Sequence, residues 1–213
     1  EDGIRDISVW LEFRRVLFRS RRYYNRDAVV VYPPVDTDFF RADATPRGRH
    51  FLIVSALVPY KRVEWAIEAC RRVGAPLRIV GSGPDRARLE QQAGPDVSFL
   101  GSLSDEDVRR EYREALAVLL PGEEDFGIVP VEAQACGTPV VAFARGGALE
   151  TVIPDETGVL FEGGDPASLA AALDRVAARP FAPDRVRRHA ERFARPRFDE
   201  QMGALIADTL ASP

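Results

Sequence analysis

A doubly wound α/β domain built on a parallel six-stranded sheet is the architecture that this sequence predicts, and three observations predict it. From residue 51 onward, short runs rich in Val, Ile, Leu and Phe recur six times. The stretches between them carry apolar residues at helical rather than alternating spacing. Gly, Pro, Asp and Ser mark the joins. Strands that alternate with helices form βαβ units, and their helices cover both faces of the sheet, so each strand is buried on both sides and reads as a continuous apolar run. This is a Rossmann-like arrangement.

In order, the first strand is FLIVS (51 to 55), and Val63, Ala66, Ile67 and Cys70 set the inner face of the helix after it. LRIV (77 to 80) and VSFL (97 to 100) come next as strands. A capping box from Ser104 to Asp107 opens a helix whose apolar positions include Val108, Tyr112 and Ala115. AVLL (117 to 120) is the fourth strand, VVAF (140 to 143) the fifth and GVLF (158 to 161) the sixth. Asp165 and Pro166 then stand in N-cap and first-turn positions of another helix, with further helical patterns near 184 to 194 and 197 to 210. Upstream, "RRYYNRDAVVVYPPVDTDFF" reads as a short polar helix, an apolar strand and a stiff Pro-Pro turn, the end of one unit and a linker into the next. The expected division is residues 21 to 45 as that remnant, 46 to 182 as the sheet domain and 183 to 213 as C-terminal helices.

Composition excludes several function classes. The 213 residues are 46% hydrophobic and 29% charged, which is ordinary for a globular chain. The net charge of −4 comes from 29 basic and 33 acidic residues, and the arginines are scattered among acids rather than gathered into a stripe, so a nucleic-acid partner is not expected. Cys70 and Cys136 each fall inside an apolar helical pattern and read as reduced core thiols. No apolar run approaches the ~18 to 20 residues that span a membrane, so no transmembrane segment is expected and the location read from the sequence is cytoplasmic.

The first twenty residues, "EDGIRDISVWLEFRRVLFRS", show no period, cap or turn chemistry joining them to the chain from Arg21. Back-translated, EDGIRD and LEFRRVLFRS resemble the two constant parts of a common indexed sequencing-library adapter. Ile7, Ser8 and Val9 would then be the index and Trp10 a stop codon read through. Residues 1 to 20 are therefore expected to be non-native, and the chain from Arg21 is expected to start in mid-protein.

In an open parallel sheet, ligands sit outside the carboxyl ends of the strands, so the loops there are the place to search for chemistry. After the fourth strand, Gly122 to Gly127 lead into a helix from about Ile128 to Cys136, closed by Gly137. Pro130 suits its first turn, where a missing N–H has no intrahelical partner. The amides of Gly127, Ile128 and Val129 would then aim partial positive charge at the cleft, a ready place for phosphate. Glu124 lies ahead of the helix, and Glu132 falls one turn after Ile128. Residue type admits four readings of that pair: an acid and base such as glycoside hydrolysis needs, metal ligands, solvated charges, or two grips on one ligand. Metal binding would want more hard or imidazole ligands nearby, and His50 and His189 are far off in sequence, so no metal is expected.

The loop after the first strand, "SALVPYKR", supplies Lys61 and Arg62, an ammonium and a guanidinium suited to a diphosphate leaving group. "GSGPDR" after the second strand fails as a dinucleotide fingerprint, because Arg86 holds the third glycine position and no acid closes the next strand. Gly81 and Gly83 are read instead as letting backbone approach a ligand. Gly146 and Gly147 open a helix carrying Glu150, where turn geometry and capping explain them equally well.

The run "EDFGIVPVEAQACGTPVV" resembles the Glu, seven residues, Glu signature of retaining glycosyltransferases of family 4, which have the two-Rossmann GT-B fold. The resemblance extends through "VVYPPVDTDFF", "FLIVSALVPYKRVEWAIEA", "LRIVGSGPDRARLE", "VSFLGSLSDEDV" and "GGALETVIPDETGVLFEGGD", nearly all of Arg21 to Pro213. It implies the donor-binding C-terminal half of such an enzyme, with the acceptor-binding half missing. Catalytic roles would fall to Lys61, Arg62 and Glu124. Donor contacts would come from Gly81, Gly83, the segment Leu100 to Leu103 around the nucleotide base, Phe126, Gly127, Ile128 and Val129, with Glu132 on the ribose hydroxyls. One departure stands out: many members carry an Arg after a Gly where this chain has Ala56 after Ser55, a contact that Arg62 would take over.

The implied reaction moves a sugar from a nucleoside-diphosphate sugar, GDP-mannose or a UDP-sugar, to an acceptor hydroxyl with retained configuration. The nucleotide sugar is a co-substrate and no cofactor is implied. The wording of "SALVPYKR" looks most like a mannosyltransferase branch. The acceptor would be a glycan or lipid-linked sugar held by the missing half, which would also allow a peripheral seat at the inner membrane face. A nucleotide-sugar epimerase of the same fold, a nucleotide-binding module without turnover, and a hydrolase stay open beside this reading.

Overall fold

The structure is a computed structural model that describes residues 22, 23, 25 and 29–211. The adapter-like residues 1 to 20 lie outside the described residues. Six parallel strands form one sheet: β1 (Phe51–Val54), β2 (Leu77–Val80), β3 (Val97–Gly101), β4 (Ala117–Leu120), β5 (Val140–Phe143) and β6 (Gly158–Phe161), in the order β3-β2-β1-β4-β5-β6. The register is continuous along β1 and β2, from Phe51 opposite Leu77 to Val54 opposite Val80. β4 and β5 pair from Val118 opposite Val140. Every residue of β4 is buried, as a strand with both faces covered must be.

The helices are α1 (Val63–Val73), α2 (Arg86–Gln92), α3 (Asp105–Glu114), α4 (Ile128–Ala135), α5 (Ala148–Thr151), α6 (Pro166–Ala178), α7 (Pro183–Ala190) and α8 (Arg195–Ala211). α1 packs on α6, while α3 and α7 pack on α4. A hydrophobic core joins the sheet to α1 and α6 through Phe51, Ile53, Leu77, Leu119, Leu169 and Leu173. The expected caps form. Ser104 Oγ accepts from the Asp107 amide at 3.2 Å, and Asp165 Oδ1 accepts from Ala167 and Ser168 at 2.8 and 2.9 Å.

The chain divides into two compact units, Val35–Ala194 and a second made of the described residues before Val35 with α8. The apolar strand expected after residue 28 does not form: residues 29–34 carry no regular structure. A strand exists only where a neighbour completes its backbone hydrogen bonds, and no described strand pairs with this one. Among the described residues no helix is long and apolar enough to cross a membrane. Cys70 and Cys136 are free and buried, and burial pushes both thiols up to about 12.

Candidate functional site

β1 lies between β2 and β4. The chain leaves β1 toward one edge of the sheet and returns at β4 to build the other, so the loops diverge above these two strands and leave a crevice. A cavity of about 460 Å³ opens there. Its walls include Ser55, Ala56, Tyr60 and Lys61 from the β1 loop, and Glu124, Phe126, Gly127, Ile128 and Val129 from the β4 loop and the start of α4.

Lys61 ends a single 3-10 turn, Pro59–Lys61, and Arg62 after it has φ 55°, a left-handed conformation that both closes the turn and opens α1. Lys61 Nζ donates to Glu124 Oε1 and sits 5.1 Å from the centroid of the Tyr60 ring. Arg62 does not join it. Its guanidinium lies 5.3 Å from the Trp65 ring, in an adjoining depression of about 770 Å³ shared with Phe143 and Arg145. The two hollows have Tyr60, Pro121, Gly122, Glu124 and Asp125 in common, so the β4 loop forms the wall between them.

Gly127 caps α4 with φ 77° and no side-chain cap, which leaves the first-turn amides of α4 at the cavity wall. The macrodipole gives that tip a partial positive charge. Pro130 occupies the first turn as the sequence requires. Phe126 meets Phe193 edge-on at 5.5 Å. The loop is fixed from below: Gly147 N–H donates to the Glu124 carbonyl at 2.7 Å, and a Cβ on Gly146 would come within 2.1 Å of that same oxygen. The Gly146–Gly147 pair is thus explained by backbone approach, and it sets where Glu124 stands.

Gly81 and Gly83 serve the same kind of contact on the other side. A Cβ on Gly81 would lie 1.9 Å from the Ser55 carbonyl oxygen, and one on Gly83 2.3 Å from that of Leu57. Leu57 N–H donates to the Ser82 carbonyl at 2.9 Å. These glycines seat the loop that carries Lys61, and neither lines the cavity. Leu100 and Leu103, half-buried at the end of β3, do not line it either.

Glu132 also stands apart from the cavity wall, one turn further along α4. Tyr112 on α3 donates its hydroxyl to Glu132 Oε2 at 2.8 Å. Burial raises the Glu132 carboxyl above its usual range, the Tyr112 hydrogen bond opposes this, and the charge of Asp105 adds to it. Asp105 lies two residues past Leu103, at the start of α3. Among the described residues, no group of His, Cys, Asp and Glu is set to hold a metal.

The profile of the family described as glycosyl transferases group 1 matches residues 35–193. The chain belongs to that family. This group 1 chain is 36% identical, over 216 residues, to a D-inositol 3-phosphate glycosyltransferase of Geodermatophilus obscurus, covering 85% of this chain and 47% of that protein. A protein of the same name from a Mycobacterium strain is 36% identical over 175 residues, covering 70% and 39%. The chain therefore spans about half the length, or less, of these curated relatives. Among solved structures, sucrose-phosphate synthase from Thermosynechococcus elongatus superposes with a TM-score of 0.81 at 28% identity, over 92% of this chain and 56% of that one. The Rossmann-like sheet with flanking helices thus matches a GT-B glycosyltransferase structure.

Tyr60 is 62% exposed and lines both hollows of this group 1 chain, and no sequence pattern marks it. Tyr112, an apolar position of its helix by spacing, carries a polar role as well. A lone phenol on an otherwise apolar helix face was the one signal available, since a buried hydroxyl needs a partner.

Proposed function

We propose that this chain is the donor-binding half of a retaining glycosyltransferase that moves a hexose from a nucleoside diphosphate to an acceptor hydroxyl. The observation that carries the reading is the meeting of Lys61, Glu124 and the uncapped tip of α4 in one cavity at the switch point of the sheet. As the bond from the sugar to the diphosphate breaks, negative charge grows on the leaving oxygen. Donors already aimed at that oxygen favour the transition state over the ground state. Lys61 offers three N–H donors, of which Glu124 takes one, and the amides of Gly127, Ile128 and Val129 supply more. This reading assigns no metal to the diphosphate.

Glu124 holds the ammonium in place and presents its second oxygen to the hydroxyls of the transferred sugar. Glu132 takes the ribose, and Leu100 and Leu103 border the base. Arg62, set beyond the β4 loop, is reassigned from the diphosphate to the outer rim. Mannose carried on GDP is the donor that the wording of "SALVPYKR" favours. The relatives are named for D-inositol 3-phosphate, and a polyol or sugar hydroxyl is the acceptor class proposed here. Because the chain spans less than half of those relatives, turnover is expected to need residues outside the match.

Calorimetry with GDP, UDP and GDP-mannose tests the reading. Binding of one diphosphate that is weakened in Lys61→Ala supports it. An absence of binding to any of the three, with the chain folded, overturns it.

A further inference from the structure

Tyr112 lies 20 residues from Glu132 in sequence and is fully buried, yet it spends its only hydroxyl on that carboxylate. A buried phenol could satisfy itself on a backbone carbonyl, as Thr138 Oγ1 does on the carbonyl of Tyr112 itself at 2.6 Å. It instead spans from α3 to α4 and donates to Glu132 Oε2. The ring packs against Phe40, with centroids 5.8 Å apart and an edge-on tilt. The hydroxyl therefore cannot swing away without repacking the α3 and α4 face.

A partly buried Glu side chain has three rotatable bonds, and ordering it for a ligand costs rotamer freedom. A donor fixed in the core removes that cost before the ligand arrives. It also engages Oε2 and leaves Oε1 without a bond from Tyr112. One carboxylate oxygen can accept two neighbouring hydroxyls of a ribose, whereas a carboxylate free to rotate would offer both oxygens and no preferred orientation.

Resting on the assignment of Glu132 to the ribose, we propose that Tyr112 is the positioning residue of the nucleoside site: it locks the Glu132 carboxylate in the orientation that receives the ribose diol. The bound group is recognised as a vicinal diol on a five-membered sugar. The diphosphate, held by Lys61 and α4 on the other side, is outside its reach.

The experiment is calorimetry of the full chain with GDP and UDP, with the 2′,3′-dideoxy form of whichever binds, and with inorganic pyrophosphate. Wild type, Tyr112→Phe, Glu132→Gln and the double variant are compared. Phe keeps the ring and its packing and removes only the hydroxyl, and circular dichroism confirms the fold of each variant. The expected result is a rise in Kd of about three- to tenfold in Tyr112→Phe for the ribonucleoside diphosphate, from the loss of one ordered hydrogen bond. The dideoxy compound and pyrophosphate should bind as they do to wild type, and Tyr112→Phe should add nothing in the Glu132→Gln background.

An equal loss of pyrophosphate binding would mark Tyr112 as a general packing residue and overturn the proposal. An unchanged Kd in Tyr112→Phe beside a weakened Glu132→Gln would overturn it while leaving the ribose assignment standing. Unchanged binding in Glu132→Gln, or no nucleotide binding by wild type, would overturn the ribose assignment and this inference with it.

Discussion

Lys61 and Glu124 stand 63 residues apart and form a hydrogen-bonded ion pair inside the cavity above β1 and β4, both largely screened from water. A pair in that setting keeps more of its attraction than one on an open surface, and loss of either partner leaves a charge poorly solvated. The bond ties the two loops that form the walls of the cavity. It also leaves Lys61 with N–H donors to spare.

The first prediction concerns this pair. Lys61→Ala should cost about 1.5 to 3 kcal/mol of nucleoside diphosphate affinity, the range for hydrogen bonds to charged groups. The free nucleoside, which has no diphosphate for Lys61 to meet, should bind as before. Calorimetry with both ligands checks it. Equal losses for the two would remove Lys61 from the diphosphate.

Gly81→Ala is a second prediction. The new Cβ would fall 1.9 Å from the Ser55 carbonyl oxygen at a position whose φ is 128°, so the β1 loop must move or the β2 loop must bend. A destabilisation of about 1 to 3 kcal/mol is expected from the strain, read as a lower denaturation midpoint. Diphosphate affinity should fall as well, because the displaced loop carries Lys61. Gly94→Ala, where no atom lies within 4 Å of the added Cβ, is the control and should change neither.

How much of this was legible in the chain depended on the range of the cause. LRIV, AVLL, VVAF and GVLF begin and end as strands where expected, because burial on both faces writes itself into consecutive residues, while FLIVS stops one residue early at Val54 and VSFL runs on to Gly101. The caps at Ser104 and Asp165 are local chemistry and were equally readable. The direction of Arg62 was not, since its left-handed φ of 55° comes from how the 3-10 turn meets α1 and not from any glycine in the sequence. The bond between Tyr112 and Glu132 arises from packing of α3 on α4 and leaves no periodic trace. At Gly81 and Gly83 a close backbone neighbour and a close ligand impose the same demand, so the sequence alone does not separate the two.

A third prediction concerns the two buried histidines. Burial lowers the pKa of His50, with Arg78 adding to the effect and Glu111 and Glu114 opposing it. Burial likewise lowers His189, with Arg192 adding and the Thr151 carbonyl and Glu156 opposing. Below the ordinary value of 6.5, the unfolded chain then binds more protons at these sites than the folded one, so stability is lost as pH falls. The denaturation midpoint should drop between about pH 6.5 and pH 5, and His50→Gln with His189→Gln should flatten that part of the profile. A slope unchanged by the double substitution would contradict the prediction.

The sign reverses at Glu132. Its carboxyl is raised above the ordinary 4.5, by burial first and by Asp105, against the pull of the Tyr112 hydroxyl. The folded state therefore holds a proton to higher pH than the unfolded state does. Stability from this group is present below 4.5 and is lost as pH rises through the folded value, so at neutral pH the ionised carboxylate is a net cost to the fold. A cost of that kind persists at sites kept for binding rather than for stability. Glu132→Gln removes the charge, keeps the shape and leaves an amide oxygen to accept from Tyr112. Its midpoint should exceed that of wild type at pH 7.5 and converge with it as pH falls below the ordinary 4.5, where Glu132 becomes protonated in both states. In the same variant, ribonucleoside diphosphate affinity should fall. A midpoint that falls at pH 7.5 would show that the carboxylate supports the fold, and the trade between stability and binding at this position would be refuted.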